Sequence, residues 1–293
     1  MKILVIGKTG QVARGLAGRA GFHSGIDLAT VGRNQADLEV EGAAARIIAD
    51  ARPDLVINAA AYTAVDQAED EPDLAFRINA DAPGEIAEAA AAAGAGLIHL
   101  STDYVFDGTS DEPYREDSAT GPLGVYGRSK LAGEATVRAA YPAATIVRTA
   151  WVYSPFGRNF VTTMMALGGE RERINVVDDQ RGSPTSAIDL AEALLTLCAR
   201  SAGAEGRTFH LAGSGAATWF QLASHVMAER ERHSLPAAIV DPISTADWPT
   251  RAARPRNSVL DCSTIEQDFG IRLPDWRQSV AETVARIART HAL

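Results

Sequence analysis

The sequence predicts an α/β fold built on a doubly wound parallel sheet, with a smaller carboxyl-terminal lobe. Three observations carry this. Short β-branched runs alternate with helix-length, alanine-rich segments through the first half of the chain, which is a βαβ rhythm. Several runs are apolar throughout instead of alternating, as strands must be when helices cover both faces of a sheet. A glycine-bearing turn follows the first run directly.

The runs are taken in order. Ile3–Ile6 enters the glycine turn and is followed by a helical stretch near Gln11–Ala20. Ile26–Val31 is the second strand, with a helix near Gly42–Ala51 that ends before Pro53. Leu55–Asn58 precedes a long helix spanning Asp73–Ala93. Leu97–Leu100 and Thr145–Arg148 flank a helix over Tyr126–Ala140, which stops ahead of Pro142. After Trp151 the rhythm loosens into turn-rich pieces, Ser154–Asn159 and Asp178–Pro184, with helices near Ala187–Arg200 and Thr218–Arg232. Phe209–Ala212 reads as one more strand. The proline- and arginine-rich stretch Asp241–Ser258 reads as a surface loop. The expected organisation is a nucleotide-binding domain over 1–150 and a substrate lobe over 151–293. Segments at about 186–213 are expected to return to the first domain's sheet.

Composition bounds the function. Apolar residues make up 46% and charged residues 22% of the 293 residues, which excludes fibrous and disordered classes. The formal charge of −9 offers no basic field for nucleic acid, so an anionic ligand must meet a local cluster. Cys198 and Cys262 form no metal-binding spacing and no disulfide framework, which suits a reducing cytoplasm. The amino-terminal run is too short for a secretory signal and is expected to be mature structure. The longest uncharged stretch, Thr208–Ala228, carries His210, Gln221 and His225, so no membrane span is expected.

Gly7-Lys8-Thr9-Gly10-Gln11-Val12-Ala13 places bare N–H groups and the positive end of a helix where a pyrophosphate can sit. Glycine allows the tight turn, and Ala13 is small enough for helix–strand packing. At the end of the second strand, Arg33 offers a guanidinium and no immediate carboxylate, which favours the 2′-phosphate of NADPH. Asp37 and neighbouring Leu38 follow closely, and Asp37 reaches a free ribose or adenine, so NADH stays open.

Tyr126 and Lys130 stand four residues apart on one helix face and can serve one reactant. A neighbouring Lys⁺ favours the phenolate and is expected to bring Tyr126 toward neutral-pH acid–base range. Ser101-Thr102-Asp103 lies at the carboxyl end of a strand, where open α/β sheets place ligands. The Thr102 hydroxyl there can polarise a carbonyl.

These motifs, together with Asn58–Asp66, Ser101–Phe106, Arg148–Tyr153, Asn159-Phe160, Asp179-Gln180, Gly182, Pro184-Thr185 and Arg254–Ser258, resemble the extended short-chain dehydrogenase/reductases. Within these they resemble the dTDP-4-dehydrorhamnose reductase family over nearly the whole chain. The resemblance implies a Rossmann-like cofactor domain, a nucleotide-sugar lobe, and NADPH-dependent reduction of a dTDP-4-keto-6-deoxysugar. It implies cofactor contacts from Gly10, Gln11, Val12, Ala61, Tyr62, Thr63, Tyr126 and Lys130, and substrate contacts from Thr102, Asp103 and Trp151. Tyr126 would donate the proton and Lys130 hold the nicotinamide ribose. Arg254 and Arg256 suit the dTDP pyrophosphate, since planar guanidinium forks match phosphate oxygens. Two positions depart from the family pattern: Ala13 replaces a glycine, and Gly124 replaces an asparagine, leaving open what takes that side chain's place. Some members are metal-assisted dimers; the carboxylates for that have no clear position here, and the expectation is an active site without metal in a monomer or homodimer. Asp103 is followed by Tyr104 instead of the glutamate that related dehydratases use, which disfavours elimination. An epimerase or other nucleotide-sugar reductase, and a noncatalytic NADP-binding regulatory subunit, are the competing readings.

Overall fold

The computed structural model describes residues 1–200 and 202–291. Its first half runs β1 (Lys2–Ile6), α1 (Gln11–Arg19), β2 (Asp27–Val31), α2 (Ala43–Ala51), β3 (Leu55–Asn58), α3 (Val65–Ala68), α4 (Pro72–Phe76), α5 (Ala82–Ala92), β4 (Gly96–Thr102), α6 (Val125–Ala140) and β5 (Thr145–Thr149). Beyond Trp151 come β6 (Val152–Tyr153), α7 (Phe160–Glu170), β7 (Arg173–Val177), β8 (Arg181–Gly182), β9 (Thr185–Ser186) and α8 (Ala187–Ala199). The chain ends with β10 (Thr208–His210), β11 (Ala217–Thr218), α9 (Trp219–Arg232), β12 (Ile239–Ile243), α10 (Ser263–Phe269) and α11 (Trp276–His291).

Six strands form one parallel sheet in the order β10-β5-β4-β3-β1-β2. Its unbroken apolar strands are explained by cover on both sides. Ile3 and Val5 of β1 point into a core with Leu16 of α1 and Leu190 and Leu194 of α8. Leu4 and Ile6 point the other way, onto Ile48 of α2, Ile86 of α5 and Val137 of α6. Each such side chain, taken fully out of water, contributes about 1.5–3 kcal/mol. From β1 the chain first moves outward to β2 and then returns to β3 on the opposite side. The connections therefore part above the carboxyl ends of β1 and β3, and this switch point opens a crevice.

The helix expected over Asp73–Ala93 runs unbroken from Pro72 to Ala92, but its geometry is not α throughout. Pro83 has no N–H to give the Asn79 carbonyl, and the chain widens into a π turn at Arg77–Asp81, where the Ala82 N–H reaches back to Arg77 O. The Thr136 hydroxyl on α6 takes up the Ala80 carbonyl at 2.7 Å. The expected loop over Asp241–Ser258 also needs correction at its start, because Asp241–Ile243 belongs to β12, paired in parallel with β7. Pro242 is tolerated there because this two-stranded sheet has no further strand beside β12.

Beyond Trp151 a separate core gathers Tyr153, Val161 and Met165, Leu222 and Val226 of α9, and Trp276, Val280 and Val284 of α11. The sequence reading placed no element on α7, α10 or α11, although Trp276, Val280, Val284 and Ile287 follow helical spacing. α8 packs on α1 within the first core, and β10 pairs with β5. Among the described residues no helix is long and apolar enough to cross a membrane.

Candidate active site

A cleft of about 820 Å³ opens above the carboxyl ends of β1, β3, β4 and β5. One wall is the turn after β1. Gly7 has φ +123°, a conformation that side chains disfavour, and an added Cβ would come within 3.3 Å of the Ala59 backbone. Gly10 is the N-cap of α1 and makes no side-chain cap bond, and no acidic residue occupies the first turn. The helix thus presents N–H groups and a positive end to the cleft with no carboxylate competing for them. Ala13 is fully buried in the sheet core, which is what its position in the turn requires. Gln11 also has a bridging role: its amide donates to Val152 O at 3.1 Å and accepts from the Ser154 hydroxyl at 2.7 Å.

The far end of the cleft holds Arg33, Asp37 and Leu38. Arg33 is already engaged. It donates to Asp37 at 3.2 Å and to Glu39, and these partners raise its pKa. Glu39, which sequence reasoning passed over, lines the same wall; its N–H donates to Asp37 and holds that carboxyl below the usual range. Ala61 and Thr63 also line the cleft. Tyr62 does not: its N–H donates to Asn79 at 2.8 Å and its hydroxyl to Glu71 at 2.7 Å, and burial helps push its pKa to about 12.

The floor is formed by the ends of β4 and β5 and the start of α6. The Thr102 hydroxyl donates to Asp103 at 3.0 Å and accepts from the Tyr104 N–H at 3.2 Å. Asp103 is almost wholly buried, and burial pushes its carboxyl up to about 6 although the nearby Ser258 and Thr102 hydroxyls favour its charged form. The Thr102 hydroxyl beside Tyr126 favours the phenolate, but burial outweighs it, and with the nearby Asp103 charge pushes the phenol up to about 12. The expectation that Lys130 would bring Tyr126 toward neutrality is therefore corrected: desolvation dominates, and the phenol keeps its proton at neutral pH.

Lys130 is 2% exposed and donates to Leu100 O at 2.7 Å. Burial brings its pKa down to about 8, partly offset by Glu134 one turn further along α6. Sequence reasoning missed Glu134, though it continues the four-residue spacing from Tyr126 and Lys130. It is buried with Arg148 of β5 at 2.7 Å and accepts from Ser101 at 2.5 Å, tying α6 to both strands beneath the cleft.

Trp151 lines the cleft in a left-handed conformation, φ +45°, and stacks flat on Trp219 of α9 with ring centroids 3.5 Å apart. Gly182 makes room for it, since a Cβ there would lie 2.3 Å from the indole. The partner Trp219 was not singled out in the sequence, although Thr218 and Gln221 form the capping box that starts its helix. Arg254 and Arg256 do not line the cleft. Arg254 pairs with Asp66 at 2.7 Å, beside the active-site loops, and Arg256 pairs with Asp111 at 2.5 Å further out. Among the described residues no cluster of three or more His, Cys, Asp or Glu could hold a metal ion.

An uncapped helix end beside a positive-φ glycine, two flanking strand ends, a half-buried Tyr126 and a buried Lys130 suit a dinucleotide laid across the switch point. Comparison with known proteins agrees with this layout. The RmlD substrate binding domain family profile matches residues 1–289. The dTDP-4-dehydrorhamnose reductase of Sinorhizobium fredii is 47% identical over 288 residues, covering 97% of each chain. A crystal structure of the Clostridium acetobutylicum dTDP-4-dehydrorhamnose reductase superposes with a TM-score of 0.92 at 36% identity, covering 98% of this chain and 99% of that one. The Bacillus anthracis dTDP-4-dehydrorhamnose reductase, solved in complex with NADP, superposes with a TM-score of 0.91 at 34% identity, covering 97% and 99%. With its profile matched almost end to end and its relatives covered over nearly their full length, this chain belongs to the dTDP-4-dehydrorhamnose reductase family.

Proposed function

We propose that this protein uses NADPH to reduce the 4-keto group of dTDP-4-dehydro-L-rhamnose, giving dTDP-L-rhamnose. The observation that carries the reading is that Tyr126, Lys130 and Thr102 line the same cleft as the Gly7–Val12 turn. Residues 1–150 hold the cofactor, with the Gly7–Val12 turn at its pyrophosphate, Arg33 at its 2′-phosphate and Lys130 at its nicotinamide ribose. Residues 151–293 mainly hold the nucleotide sugar, with Trp151 as one wall. Arg254 and Arg256 meet the dTDP pyrophosphate only by exchanging their carboxylate partners for it.

When bound, NADPH supplies hydride to the carbonyl carbon. Tyr126 gives its proton to the carbonyl oxygen as charge develops there, and Thr102 hydrogen-bonds the same oxygen. In the free protein the Thr102 hydroxyl gives its proton to the buried Asp103, so it serves the carbonyl oxygen by turning that proton from Asp103 to the substrate. The test is incubation with NADPH and dTDP-4-dehydro-L-rhamnose, following loss of reduced cofactor and determining the C4 configuration of the product. Tight NADPH binding without oxidation would favour the noncatalytic subunit, and a C4 epimer of rhamnose would assign another reductase.

The carboxylates around Arg33 set a further expectation. Glu39 competes with a 2′-phosphate for the guanidinium, so Glu39→Gln should tighten NADP⁺ binding a few-fold relative to NAD⁺, an exposed ion pair being weak. Titration of both dinucleotides against the apo protein measures the ratio; an unchanged ratio removes Glu39 from cofactor choice.

A further inference from the structure

Helix α6, which carries Tyr126 and Lys130, starts without a cap of its own. Gly124 occupies the N-cap position with no side-chain hydrogen bond. Such a start leaves first-turn N–H groups without partners, and here the first turn bears the phenol. The acceptor comes from elsewhere in the chain: Glu69, immediately after α3, accepts from the Val125 N–H at 2.7 Å. Its carboxylate also lies at the end of the helix where negative charge is favoured.

Gly124 has φ −119° and ψ 174°, extended backbone that any residue adopts, so conformation does not call for glycine. Space does. A Cβ at this position would lie 2.7 Å from Glu69 Oε1. The missing side chain and the incoming carboxylate are two halves of one arrangement.

Glu69 is itself anchored. Its N–H donates to Asp66 O, and the Asp66 carboxylate accepts from the Ala252 N–H at 3.1 Å and from Arg254 at 2.7 Å. Ala68 and Ala75 are buried against Val125, with Tyr126 packed on the same cluster. On the other side of the turn Tyr104 meets the Tyr126 ring edge-on at 5.5 Å.

We infer that Glu69 is a positioning residue for Tyr126: by capping α6 from across the fold, its carboxylate sets where the phenol stands relative to Thr102. Glu69 acts through Val125 and the first helical turn. The inference rests on the reductase reading for the consequence in turnover, and on the cap geometry alone for the consequence in hydrogen exchange.

The experiment measures steady-state kinetics and exchange of the Val125 amide in the full chain. Glu69→Ala should lower kcat about 10-fold or more while both KM values stay within about threefold, because a small displacement of a reacting group is costly. Gly124→Ala should do the same, since its methyl displaces the carboxylate without supplying an acceptor, and the double variant should be no worse than either. Gly124→Ser in the Glu69→Ala background should restore both kcat and slow exchange, because a serine hydroxyl can cap locally. Glu69→Gln, which keeps an acceptor oxygen, should fall between. Unchanged kcat in folded Glu69→Ala, additive losses in the double variant, or no recovery with serine would overturn the inference. If the wild-type protein shows no turnover, the reductase reading fails, and the exchange arm still decides the cap.

Discussion

Replacing Tyr126 by phenylalanine should lower kcat by about 10²-fold or more while leaving NADPH affinity within a few-fold. The ring, its edge-on contact with Tyr104 and its place on α6 are all kept. Only the hydroxyl is lost, and with it the group that meets Thr102. With its pKa pushed up to about 12 by burial, Tyr126 keeps its proton across the neutral range. The pH profile of kcat/KM, which reports the free enzyme, should therefore show no limb from Tyr126 deprotonation below about pH 10. Single-turnover measurement with saturating NADPH and dTDP-4-dehydro-L-rhamnose separates the chemical step from product release. A near-normal single-turnover rate in the Tyr126→Phe variant would remove the phenol from the reaction and leave proton transfer to solvent or to Asp103.

Lys130→Met should separate function from stability in opposite directions. Loss of the ammonium should lower kcat/KM by about 10²-fold, mostly through cofactor placement. The apo protein, however, should become more stable at pH 7. Lys130 is charged, 2% exposed and bonded to Leu100 O, and its pKa falls from 10.5 to about 8. A shift of that size corresponds to about 3 kcal/mol against folding. The sign follows from proton counting: between pH 8 and 10.5 the unfolded chain holds a proton that the folded chain has lost, so wild-type stability rises through this window. Below pH 8 the penalty is present in full. The variant should melt on the order of 5 °C higher at pH 7, and the gap should narrow as pH approaches 10.5. Melting of the Lys130→Met variant below wild type at pH 7 would show that the lost hydrogen bond and packing outweigh desolvation.

Legibility in the sequence followed physical range. Strands β1, β3 and β5 were readable nearly to the residue, because a strand covered on both faces is mostly apolar on both, with its few polar residues paired, as Arg148 is with Glu134. The phosphate turn was readable because its requirements are local: a glycine at positive φ, a helix start, and a small residue where helix meets strand. Tyr126 and Lys130 were readable as a pair because helical spacing alone puts them on one face. The helix before β4 was readable but its π turn was not, since Pro83 fits a helix start as well as an interior defect until its neighbours are known. β12 was hidden because a proline at a strand edge reads as a loop until its partner, β7, is in view.

Sequence by itself determined the fold class, the glycine turn that opens α1 and the placing of Tyr126 and Lys130 on one helix face, each set by period, backbone geometry or residue chemistry within a few positions. Only the tertiary structure decided which way Tyr126 titrates, because burial depends on everything packed around the phenol. It alone brought Glu69 to the start of α6, paired Trp219 with Trp151, and engaged Arg33, Arg254 and Arg256 with carboxylates. These contacts join residues far apart in the chain or choose among several charged neighbours, and no local pattern encodes which partner a folded backbone will bring within reach.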